Sequence, residues 1–171
     1  HTGDVFFRTQ AEVDTFCDSY DCVQGGVDVG DDEGGDRPGE GGNGGDGAAD
    51  PIVNLDGLSC LRAARYLFVS NNSELVDAAL PSLVGLGGGL NYAGNLSLVS
   101  VSVPELRFAG EVAINNHPNL QDLDLQSLQA VLGFFSVTEN PRLPTSQVEE
   151  IRDQMCPQDI RGAVMIAGNG S

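Results

Sequence analysis

Leu67-Phe68-Val69, Leu90-Asn91-Tyr92, Val112-Ala113-Ile114 and Phe135-Ser136-Val137 are four apolar-x-apolar triplets spaced 22 to 23 residues apart, and the pattern returns at Val164-Met165-Ile166. Six residues past each of the first four stands a leucine: Leu75, Leu98, Leu120 and Leu143. Further columns run through Leu83, Leu106 and Leu128, and through Leu80, Val103 and Leu125. A unit this short cannot bury its apolar face alone. Copies must stack, each laying its strand beside the last and its leucines into one continuous core. The fold class expected is therefore β: a right-handed β-helix, or leucine-rich-repeat-like solenoid, of about five to six coils.

Within each triplet the outer residues point inward and the middle one faces solvent, because side chains alternate along a strand. The inward ladder expected on this basis is Val27, Leu67, Leu90, Val112, Phe135 and Val164. The outward positions give a flat, mostly small and uncharged face, with Phe68, Ser70, Asn91, Ala93, Asn115, Ser136 and Thr138 as candidate binding residues.

The sequence reads as one domain, residues 1–171, with three decorations. Thr9 to Tyr20 (residues 9–20) has the signature of an N-terminal cap helix, with Thr9 as N-cap, Glu12 at the capping-box position, and Val13 and Phe16 on one face. Residues 30–51 form an acidic, glycine-rich insertion that lacks large apolar side chains and so cannot join a core. Leu55, Leu58 and Leu61 then complete the first coil. Residues 145–155 read as a C-terminal cap helix, with Val148, Ile151 and Met155 at helical spacing.

The net charge is -17, and all eight basic residues are arginine. Residues 1 to 50 hold thirteen of the 25 acids against Arg8 and Arg37, a local balance of -11. This excludes nucleic acid and anionic membrane as partners, since both demand clustered cations. No apolar run approaches the roughly 18 residues of a membrane span, so no direct membrane insertion is expected. The start at His1 shows no leader pattern, as a processed or trimmed chain would.

Four cysteines, Cys17, Cys22, Cys60 and Cys156, include no Cys-x-x-Cys pair, which argues against zinc and thiol-redox chemistry. Cys17 and Cys22 flank the end of the cap helix and are the disulfide expected; Cys22 with Cys60 is the competing pair.

Asp21-Cys22-Val23-Gln24-Gly25-Gly26-Val27-Asp28-Val29, followed by coils turning at Asn71-Asn72, Asn115-Asn116-His117-Pro118 and Asn140-Pro141-Arg142-Leu143, resembles the receptor L domain. That is the leucine-rich β-helix module of the extracellular parts of insulin and epidermal growth factor receptors and of many bacterial surface proteins. The ending Gly162 to Asn169 is most similar to the bacterial versions. The resemblance implies a secreted or surface-displayed recognition module, bacterial in source and without catalysis of its own; it carries over no ligand.

Gly41-Gly42-Asn43-Gly44-Gly45-Asp46 fits a calcium-binding nonapeptide, and Asp31, Asp32, Asp36, Asp46 and Asp50 could supply hard oxygens to a Ca2+ ion. A solvated loop is the alternative, and no cofactor is required. His117 stands in the column of Asn72, Asn95 and Asn140, so it is expected to make a turn hydrogen bond. The pairs Asp122 with Asp124 and Glu149 with Glu150 have no aromatic platform beside them, and a filled solenoid offers no cleft between two carboxyls. The function expected is recognition or adhesion toward an extracellular protein or glycan. One alternative is a subunit that self-associates into a fibre or matrix; a polysaccharide-acting enzyme is the other.

Overall fold

The computed structural model describes residues 1–20, 23–30 and 50–171. Strand β1 (Val5–Phe7) leads into helix α1 (Gln10–Asp14) and a 3-10 turn, Phe16–Asp18. β2 (Val27–Gly30) follows, then a second 3-10 turn at Asp56–Leu58 and β3 (Ala63–Ala64). The next coils are regular triplets of strands: β4 (Leu67–Ser70), β5 (Asp77–Ala79) and β6 (Gly85–Leu86), then β7 (Gly89–Ala93), β8 (Ser100–Ser102) and β9 (Phe108–Ala109), then β10 (Glu111–Asn115), β11 (Asp122–Asp124) and β12 (Ala130–Val131). β13 (Phe135–Thr138), α2 (Thr145–Asp153), a 3-10 turn at Pro157–Asp159 and β14 (Val164–Ala167) complete the order.

Strand pairing is parallel throughout the described residues. The main sheet has the order β1-β2-β4-β7-β10-β13-β14, and two smaller sheets, β5-β8-β11 and β3-β6-β9-β12, form the other sides of a β-solenoid of about five turns. Register follows the repeat, Leu67 beside Leu90, Leu90 beside Val112 and Val112 beside Phe135. The leucine columns are buried as expected, and Leu55, Leu58 and Leu61 join the same core.

The ladder ends one step early. Val164 is 42 % exposed, since β14 is the last strand of the main sheet among the described residues and is covered from one side. At the other end β1 adds a strand that the triplet pattern does not include. The cap helix expected over residues 9–20 is α-helical only at Gln10–Asp14 before tightening to a 3-10 turn. Its capping box is present, with Thr9 N–H donating to Glu12 Oε2 at 3.1 Å and Glu12 N–H to Thr9 Oγ1 at 3.3 Å. The C-terminal helix stops at Asp153 and buries Val148 and Ile151.

The cysteine pairing needs correction: Cys17 is bonded to Cys60, not to Cys22. The two 3-10 turns pack against each other and bring the Cα atoms to 5.7 Å, a closeness that a separation of 43 positions hides in the sequence. Cys22 lies outside the described residues, and Cys156 is free and exposed.

Each coil turns at a residue with positive φ, namely Asn71, Gly94, Asn116, Glu139 and Gly168. The residue that follows is buried or half-buried and forms a polar ladder along the axis. Asn72 N–H donates to Asn95 Oδ1 (2.9 Å), Asn95 N–H to His117 Nδ1 (3.2 Å), His117 N–H to Asn140 Oδ1 (3.0 Å) and Asn140 N–H to Asn169 Oδ1 (3.3 Å). The asparagine amides donate back to strand carbonyls of Val29, Val69, Ile114 and Val137. His117 therefore makes the turn bond expected of it. Its Nε2 finds no well-aligned partner, whereas an asparagine there would reach the Tyr92 carbonyl, the register equivalent of Val69 and Ile114.

Burial holds the His117 ring below the usual histidine range, partly offset by the carbonyls of Asn95 and Tyr92. The unfolded chain therefore takes up a proton, as pH falls through about 6.5, that the folded chain refuses, and stability drops. His117→Asn should remove this component. Its thermal midpoint should exceed that of the parent by more at pH 5 than at pH 8, and an equal gap at both would refute the assignment.

Candidate functional site

The outward face of the main sheet carries one register row made of Phe6, Asp28, Phe68, Asn91, Ala113 and Ser136. Of the residues expected to form a binding surface, Phe68, Asn91, Ala93, Asn115 and Thr138 are half-exposed, whereas Ser70 and Ser136 are buried at 4 % and 6 % exposure. Asn115 Oδ1 accepts from Ser136 Oγ (3.2 Å) and Thr138 Oγ1 (2.8 Å), so the C-terminal part of the face satisfies its own polar groups.

The N-terminal side of the same face is different. One position, two residues before each strand's first inward side chain, reads Gly25, Arg65, Gly88, Gly110, Gly133 and Gly162 in successive coils. The reason is stacking: a Cβ at Gly110 would lie 2.8 Å from the Gly88 carbonyl oxygen, and one at Gly162 would lie 2.6 Å from the Gly133 backbone. Backbone rests on backbone along this corner. Only Arg65 carries a side chain there.

The missing side chains leave a trough of about 560 Å³ over Gly88, Gly89 and Gly110, walled by Asp28, Arg65, Tyr66, Phe68, Asn91 and Glu111. Tyr66 is held as a fixed wall. Its ring covers Gly26, where any side chain would overlap it, and its hydroxyl donates to Asp28 Oδ2 at 3.2 Å. Burial, and then the charges of Asp28 and Asp4, push its hydroxyl up to about 12, so it stays a donor. Across the trough Asn91 Nδ2 donates to Glu111 Oε1 at 3.4 Å. The trough thus combines two aromatic rings with carboxylate, amide and guanidinium groups in a recess open to solvent. Phe68 and Asn91 were expected in a site; Asp28, Arg65, Tyr66 and Glu111 were missed, although the glycine column was a usable signal.

Asp31, Asp32, Asp36 and Asp46 of the calcium expectation lie outside the described residues. Asp50 is described, and it anchors α1: its Oδ2 accepts Ala11 N–H at 2.9 Å and its carbonyl accepts Gln10 N–H. Among the described residues no three His, Cys, Asp or Glu side chains converge as metal ligands would, and no helix is long and apolar enough to cross a membrane.

No family model matches the chain, and no solved structure matches it. It is similar to a cell surface GPI-anchored protein of Arthroderma benhamiae, with 28% identity over 85 residues. Those residues make up 50% of this chain and 22% of that protein, so the chain spans well under two thirds of its relative. A bacterial source gains no support from this similarity. A surface relative and a disulfide both fit an oxidising, extracellular setting.

Proposed function

We propose that this chain is a non-enzymatic recognition module of the receptor L type, working outside the cell or on its surface and binding a protein or glycan partner through the main sheet. The observation that carries the reading is the trough. There the solenoid exposes aromatic and charged side chains together on a preformed surface, and such surfaces are where binding sites concentrate. The surface relative supports the setting. Labelled protein should be retained on cell walls or surface extracts, and the double variant Phe68→Ala/Glu111→Gln should lose that retention. Equal retention of parent and variant would overturn the reading.

A second reading, a subunit that self-assembles, is favoured by β14, the edge strand among the described residues, where Val164 and Met165 are exposed, and by the exposed thiol of Cys156. Light scattering with and without reductant separates the two. A monomer in both conditions leaves recognition alone.

A further inference from the structure

We infer that the trough takes a neutral, extended oligosaccharide of linked pyranose rings, laid across the strands of the main sheet; this rests on the recognition reading above and names its ligand class. Four features select that chemistry.

The first is the aromatic wall. Tyr66 and Phe68 flank the inward Leu67 at the start of β4, so both rings point outward. A pyranose has a face of C–H groups that packs on such rings. Tyr66 is already immobilised by Asp28 and Gly26, so little ordering is needed on binding.

The second is the polar set. Asp28, Asn91 and Glu111 are planar groups on strands of one sheet, and a carboxylate or amide can engage two adjacent hydroxyls at once. Asn91 and Glu111 hold each other at 3.4 Å, a long bond that a sugar hydroxyl can replace or join.

The third is charge. A net charge of -17, and two carboxylates against the single guanidinium of Arg65 in the trough, repel polyanions. An uncharged ligand rich in donors and acceptors meets no such penalty.

The fourth is spacing. Asp28, Phe68, Asn91 and Ala113 lie in register on successive strands, which are about 4.8 Å apart. That is close to the advance of one ring in an extended β-linked chain, so successive sugar units meet successive strands. The trough is open to solvent.

The test titrates cellohexaose, laminarihexaose and chitohexaose into the parent protein, followed by calorimetry and by tyrosine fluorescence, the chain having no tryptophan. At least one should bind with a dissociation constant of about 1 mM or tighter, and its tetrasaccharide should bind more tightly than its disaccharide. Phe68→Ala and Glu111→Gln should each weaken binding about tenfold, while Val76→Ala, on an exposed turn leading into the second sheet, should not. Phe68 is only half-buried, and circular dichroism of each variant checks that the fold is intact.

Failure of all three sugars to bind overturns the inference, and so does binding that ignores both trough substitutions. If the sugars fail while cell-wall retention still depends on Phe68 and Glu111, the ligand class is wrong and the recognition reading stands. A lysine-rich peptide that binds in their place, and is lost in Glu111→Gln, leads to the same conclusion. If retention fails as well, both fall.

Discussion

Asn95→Ala is expected to lower stability by about 3 to 5 kcal/mol, the largest loss anticipated from any single polar residue of the ladder. Asn95 is fully buried. Its Oδ1 accepts from Asn72 N–H at 2.9 Å and Asn72 Nδ2 at 3.2 Å, and its Nδ2 donates to the Val69 carbonyl at 3.0 Å. Alanine strands a buried N–H and a buried carbonyl, each costing about 1–3 kcal/mol, and leaves a small void. Urea denaturation of parent and variant measures the loss directly. A change below about 1 kcal/mol would mean that water enters the corner and replaces the amide. The same burial rules out glycosylation of Asn95 in the folded chain, although it begins an Asn-Leu-Ser sequon.

Removing the Cys17–Cys60 bridge should have an effect of similar size for a different reason. The bond closes a loop with a separation of 43 positions, which by chain entropy contributes about 4 kcal/mol at 25 °C. In a chain of this length that corresponds to a fall of roughly 10 °C in thermal midpoint for Cys17→Ser/Cys60→Ser. The bridge also pins the N-terminal cap to the first coil, so its loss should loosen α1 first and leave the coils from β7 onward protected. After alkylation, cleavage at glutamate under non-reducing conditions should yield the fragment 13–33 joined to the fragment 41–74, with Cys17 unmodified. Separate fragments, or an alkylated Cys17, would disprove the pairing.

Periodicity makes most of the solenoid legible in the sequence. Leu75, Leu98, Leu120 and Leu143 are buried because each coil repeats the environment of the last, so a column in sequence becomes a column in space. The asparagine column was legible for the same reason, and it assigned His117 correctly. What failed was whatever depends on a neighbour outside the repeat. Val164 fits the inward pattern, yet burial needs a coil on both sides, and among the described residues β14 has one. The disulfide depends on two turns meeting across an insertion, which spacing cannot reveal. Four of the six wall residues of the trough, Asp28, Arg65, Tyr66 and Glu111, belong to no chemical motif in the sequence. Its shape comes from what is lacking, a column of glycines broken once by Arg65.

The amide ladder has a direction. Every rung's N–H is received by the side chain of the following coil, and no rung helps the one after it in that way. Taking away the coil that carries Asn169 therefore leaves the N–H of Asn140 without its acceptor, whereas taking away the coil that carries Asn72 leaves every remaining N–H received and uncovers an amide oxygen of Asn95 instead. Peeled from opposite ends, the column bares a donor at one and an acceptor at the other.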